Sequence, residues 1–187
     1  MRKIICALSL LGALVFASAV NAAAPTSFAG TWALDKSKSQ GLSPQVQGAD
    51  SVSWTITQTD KEITIEQKVT GGAMASGGGP GGGPGGGGGG GRGGGMGGGP
   101  RTYNLDGSET TADMGRGKAV RKASWSKDGK TLELSSKSTF QGQDGTEMTS
   151  TSNDKMQLSG DGKTLTVTRH SEGPRGTQDT TYVFTKQ

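Results

Sequence analysis

The sequence predicts an all-β protein, an antiparallel up-and-down meander of about eight to ten strands that closes on itself as a barrel. Three observations carry this. Short runs alternate apolar and polar residues, as Val52-Ser53-Trp54-Thr55-Ile56 does, which is the period of a strand with one wet face. Asp-Gly pairs beginning at Asp106, Asp128, Asp144 and Asp161 punctuate those runs, where a tight reversal needs positive φ. No stretch repeats its apolar residues at helical spacing. A meander of this length exposes two edges unless it curls shut, so closure is the expected outcome.

The chain has 187 residues, of which 29% are hydrophobic and 35 are Gly. Most of the Gly falls in one tract, and the remainder suits one domain. At the start, Arg2-Lys3 precede an apolar run over 4–16 and then the small residues Ala19-Val20-Asn21-Ala22-Ala23-Ala24. That is the pattern of an export signal, assigned to residues 1–22. The apolar run falls short of the roughly 20 residues that span a bilayer, so no membrane span is expected in the mature protein, which is periplasmic or secreted. Removing Arg2 and Lys3 takes the net charge from +4 to +2. The remaining charges are interspersed, which argues against nucleic acid as a partner. Cys6, the one cysteine, leaves with the signal, so disulfides, thiol nucleophiles and thiolate metal sites are not expected.

The mature chain, 25–187, reads as a single barrel domain. Strand one covers 28–34, with Phe28, Trp32 and Leu34 on one face. Residues 35–50 are polar, contain Gly41, Pro44 and Gly48, and read as a long loop with room for one helical turn. The runs 52–58 and 63–69 alternate cleanly around Thr59-Asp60-Lys61 and form a hairpin. Residues 71–100 are an insert of Gly with Pro80, Pro84 and Pro100. Such chain has nothing to bury and much entropy to lose, so it is expected to be a disordered arm at one rim. Its uninterrupted Gly runs exclude collagen, and no strand, helix or Lys-Ser/Thr frames a phosphate loop. Arg92 alone does not make an RNA-binding segment.

The sheet resumes at 101–105, and 108–117 reads as a polar loop. A strand over 118–126 puts Val120 out of phase with Ala123 and Trp125, which a bulge would reconcile. Then an echo appears: Ser126-Lys127-Asp128-Gly129-Lys130-Thr131 matches Ser159-Gly160-Asp161-Gly162-Lys163-Thr164, each a turn between two strands. The remaining strands cover 131–140, 146–158, 164–170 and 177–185.

Phe28-Ala29-Gly30-Thr31-Trp32-Ala33-Leu34, followed by Lys36-Ser37 or Lys38-Ser39, resembles the opening of the lipocalin-like (calycin-type) barrels. It is especially similar to exported bacterial proteins that begin F-x-G-x-W-x-L. The resemblance implies that Gly30 and Trp32 lie on the first strand and close the barrel floor. It also implies that an Arg on a late strand packs over that Trp, and Arg169 is the candidate.

The chain offers little for catalysis. His170, the one histidine, shares its strand face with Thr164, Thr166 and Thr168 and opposes Leu165 and Val167, so parity puts it in solvent. No G-x-S-x-G occurs. One His without Cys cannot supply a zinc site, and the Asp-Gly sites lack the alternate oxygen ligands that calcium needs. Nothing selects Glu62 with Glu66 as a glycosidase pair. The expectation is a non-enzyme without cofactor or metal. The large rings either fill the barrel or line a cavity for an apolar ligand, with Trp54, Tyr103, Trp125 and Tyr182 as candidate contacts. Two functional readings follow: a monomeric barrel holding a small hydrophobic ligand, or a ligand-free barrel serving as an envelope or surface interaction module with a flexible Gly-rich arm.

Overall fold

The computed structural model describes residues 25–71, 99–115, 117–142 and 145–187. The signal at 1–22, nearly all of the insert assigned to 71–100, and Asp144 lie outside these residues. Among the described residues ten strands form, namely β1 (Gly30–Leu34), β2 (Ser51–Gln58), β3 (Glu62–Thr70), β4 (Arg101–Asn104), β5 (Thr110–Asp113), β6 (Gly117–Trp125), β7 (Thr131–Gln141), β8 (Glu147–Leu158), β9 (Thr164–Gly173) and β10 (Gly176–Lys186). One short helix, α1 (Pro44–Gly48), lies between β1 and β2.

All ten strands belong to one sheet of order β4-β3-β2-β1-β10-β9-β8-β7-β6-β5, and every ladder is antiparallel. The fold is therefore the predicted all-β meander, curled into a nearly closed barrel. β1 closes it by pairing with β2 on one side and β10 on the other, with Trp32 opposite both Trp54 and Lys186. The seam falls between β4 and β5. No ladder joins those two strands, but the Thr110 hydroxyl donates to the Thr102 carbonyl at 2.9 Å.

Inward side chains at one end make a dry floor. Phe28, Trp32, Trp54, Leu132, Met156 and Phe184 are all at most 1% exposed, and each such burial contributes about 1.5–3 kcal/mol. The two echoed turns sit at this end and are built alike. Ser126 donates to Asp128 at 2.5 Å and accepts from the Thr131 N–H at 2.9 Å; Ser159 donates to Asp161 at 2.6 Å and accepts from the Thr164 N–H at 2.9 Å. Gly129 and Gly162 both take φ of 67°, which costs Gly little. At the other end, α1 starts with Pro44 in its first turn and buries Val46. Lys36 Nζ donates to the Ala49 and Gln47 carbonyls beyond and within it.

Two expectations are corrected here. Residues 110–113, read as loop, form β5: Thr-Thr-Ala-Asp has no large apolar residue to mark a face, yet it pairs with β6 in regular register. No bulge interrupts β6, whose register with β7 is unbroken from Gly117↔Phe140 to Trp125↔Leu132. Val120 simply faces out, and the inward row is Ala119, Arg121, Ala123 and Trp125.

Candidate functional site

Strand parity places four charged side chains inside the barrel. Arg101 shares its face with Tyr103, Arg121 lies between Ala119 and Ala123, Asp154 precedes Met156 by two, and Arg169 follows Val167 by two. Register holds Asp154 opposite Arg169, and Arg169 opposite Thr180. Asp154, 4% exposed, is the one buried acid among the described residues. It accepts two bonds from Arg169, from Nε to Oδ1 and from Nη2 to Oδ2, both 2.6 Å. This is the fork geometry of a strong bidentate pair.

Arg101 and Arg121 have no such partner. Arg101 Nη2 and Arg121 Nε are buried and find no hydrogen-bond partner among the described residues. The Arg101 guanidinium lies 5.5 Å from the Trp54 ring centre and that of Arg169 lies 5.4 Å from Tyr182, so two aromatic faces supply part of the missing solvation. The group is electrostatically coupled. Burial lowers the Arg101 pKa and the field of Arg169 lowers it further, while Tyr103 and Asp154 oppose this. Burial also works against charge on Arg169, but its bonds to Asp154 outweigh burial and raise its pKa. Burial raises the Tyr103 phenol, partly offset by Arg101.

Above this layer the inward rows change character. On β7, Leu134 gives way to Ser136, Ser138 and Phe140, and on β8 Asp154 gives way to Ser152, Ser150 and Met148. These side chains are partly exposed, whereas the floor is sealed. The interior is thus an aromatic floor, a charged middle and a serine-walled mouth rimmed by Phe140 and Met148.

Of the ligand contacts proposed from sequence, Trp54 and Tyr182 meet with ring centres 6.2 Å apart, and Phe184 lies 4.6 Å from Trp54. Tyr103 is 1% exposed beneath Arg101. Trp125 stands apart, stacked on Phe28 at 5.8 Å in the floor. Gly30 and Trp32 are on β1. Trp32 is fully buried and its Nε1 donates to the Phe28 carbonyl at 2.9 Å. The expected packing of Arg169 over Trp32 is corrected: Lys186 of β10 lies 5.3 Å from the Trp32 ring, because register sets Lys186 beside Trp32 and Asp154 draws Arg169 higher up. His170 faces solvent, with Asp179 at 2.6 Å and Glu172 at 3.4 Å.

Two grooves of about 450 and 310 Å³ run along β6–β8, the larger lined by Lys118, Val120, Lys137, Phe140 and Glu147 and the smaller by Lys122, Glu133, Asp154 and Lys155. Neither touches the four proposed aromatic contacts. Sequence reasoning missed Arg101, Arg121 and Asp154. The signal was available, since each occupies the apolar parity of its strand.

No family model matches the sequence, and no curated protein matches it. A solved structure, zebrafish ileal bile acid-binding protein complexed with cholic acid, is similar at 15% identity and a TM-score of 0.45, covering 86% of this chain and 98% of that one.

Proposed function

We propose that this is an exported binding protein for a small organic anion, held in the barrel with its charged group on the arginine layer and its apolar end toward Phe140 and Met148. One observation carries the reading: buried guanidinium nitrogens of Arg101 and Arg121 lack acceptors among the described residues. A buried unsatisfied donor costs about 1–3 kcal/mol, and more when charged. Three arginines against one carboxylate leave the interior cationic, and an anion offsets that cost. The partly exposed serines of β7 and β8 line a polar path toward the arginine layer. This narrows the small hydrophobic ligand expected from the sequence to one that is also negatively charged at one end. Export rests on the signal at residues 1–22, and N-terminal sequencing of the protein recovered outside the cytoplasm tests it.

Trp54 lies beneath Arg101 and reports on the site. Decanoate is expected to change Trp fluorescence saturably, and decanol and decyltrimethylammonium to do so far more weakly. Equal responses to decanoate and decanol, or none to decanoate, would refute an anion site.

A further inference from the structure

Arg101 and Arg121 stand on the two sides of the barrel seam. Arg101 begins β4, where it faces Ile65 of β3 and is followed by Thr102. Arg121 of β6 is the register partner of Thr110 on β5. The Thr110 hydroxyl donates to the Thr102 carbonyl, so that bond links the residue next to Arg101 with the residue opposite Arg121. Elsewhere around the sheet, neighbouring strands are held by backbone ladders. Arg101 reaches inward from β4, one lip of the seam, and Arg121 from β6, the strand behind the other lip, and each guanidinium has a buried nitrogen without an acceptor among the described residues. Asp154 does not serve them, because both of its oxygens are taken by Arg169.

We infer that Arg101 and Arg121 form one subsite for a polyatomic oxyanion (carboxylate, sulfate or phosphate) that bridges the seam between β4 and β5 and fastens the barrel where the ladder is missing. This rests on the interior-anion reading above and adds where the charged group sits and what it does to the fold. Guanidinium forks match acceptors that carry two or more oxygens in one rigid group. Such an anion takes a bond from each side of the seam, and a spherical halide has no paired oxygens to offer the forks. Bound anion and closed seam are then linked: a ligand that binds only the closed form lowers the open population by the factor 1 + [L]/Kd.

Hydrogen–deuterium exchange on the full chain, in sodium phosphate, in sodium decanoate, and in sodium chloride at matched ionic strength, tests this. Amides of 101–104 and 110–113 are expected to exchange roughly a hundredfold more slowly at anion concentrations about a hundred times Kd, with chloride giving no protection. Protection by phosphate alone would identify a free inorganic oxyanion as the occupant, and protection by decanoate would identify the head of an organic anion; either supports the bridge. Arg101→Gln and Arg121→Gln should each remove the protection. Arg121→Lys keeps the charge but lacks the Nε donor, so it should fold with an unchanged circular dichroism spectrum and still lose protection at the seam. Calorimetric binding of decanoate without slower exchange in β4 and β5 overturns the bridge and leaves the interior-anion reading standing. Undiminished protection in either Gln variant also overturns it. Absence of binding by both anions overturns both.

Discussion

Replacing Asp154 by Asn tests the internal charge balance most directly. Asn keeps the shape and one acceptor but removes the one negative charge buried among the described residues. Arg169 then keeps at most one of its two 2.6 Å bonds, to a neutral oxygen, and remains inside with Arg101 and Arg121. Breaking a buried pair by removing one partner costs about 3–5 kcal/mol, which for a chain of this size lowers Tm by roughly 6–20 °C. Urea unfolding followed by Trp fluorescence measures the loss. The adjacent pair on the outer face, Lys155 with Glu133 at 3.2 Å and mostly exposed, is the internal control, and Lys155→Ala should cost less than about 1 kcal/mol. The double variant Asp154→Leu with Arg169→Met should be more stable than Asp154→Asn, because it removes both charges together. A loss below about 1 kcal/mol for Asp154→Asn, or a double variant as damaged as the sum of its singles, would refute the account of the charged layer.

Other outcomes follow from the turns and glycines. The Ser37 hydroxyl, with Lys38, holds the Asp35 carboxyl down from 3.8 to about 2; its stabilising contribution is complete above the unfolded value and lost as pH falls through about 2, which carboxyl NMR titration will show. Ser126, ahead of the Lys130 N–H, holds Asp128 low, so Ser126→Ala should raise that carboxyl toward the ordinary range in the same titration. His170 is raised, first by Asp179 and then by Glu172. Its contribution is present below the ordinary 6.5 and lost as pH rises through the higher folded value, and Asp179→Asn should lower the imidazole midpoint seen by NMR. Gly162→Ala meets open space but φ of +67° and should cost about 1 kcal/mol in urea unfolding. Gly117→Ala should cost more, since its Cβ would stand 2.3 Å from the Thr139 carbonyl oxygen in the adjacent strand.

How far the sequence could be read depended on which side chains mark a strand's inner face. The hairpin of β2 and β3 was legible because Val52, Trp54, Ile56, Ile63 and Ile65 are large and in phase. The Ser-x-Asp-Gly-Lys turns were legible because their hydrogen bonds are local. β5 was not, for Thr-Thr-Ala-Asp earns its place through pairing with β6 rather than through any face of its own. The bulge expected in β6 rests on the assumption that Val120 must be inside with Ala123 and Trp125. That assumption fails where the interior is charged, and Arg121, Arg101 and Asp154 were hidden by the same cause. Trp125 was grouped with the other rings on residue type alone, although only register and the path of Phe28 decide that it lies in the floor. Arg169 was placed over Trp32 by resemblance; its true neighbour, Asp154, is a cross-strand partner that no spacing in the sequence announces.

The pairing of β1 with β10 also governs how the barrel assembles. Every other ladder joins strands consecutive in sequence, so those contacts grow from neighbouring hairpins, which form in about 1–10 μs each. Trp32 and Lys186 are brought together only when the two ends of the meander meet, and that non-local step carries the entropy of gathering the whole chain. Until it is taken, β1 and β10 each keep a bare edge, with Trp32 and Phe184 uncovered beside it. A chain delayed at this stage offers unpaired backbone and aromatic surface to its neighbours. Mutations that weaken β1 will therefore show first as lower yield and aggregation during refolding, before they show as a lower melting temperature.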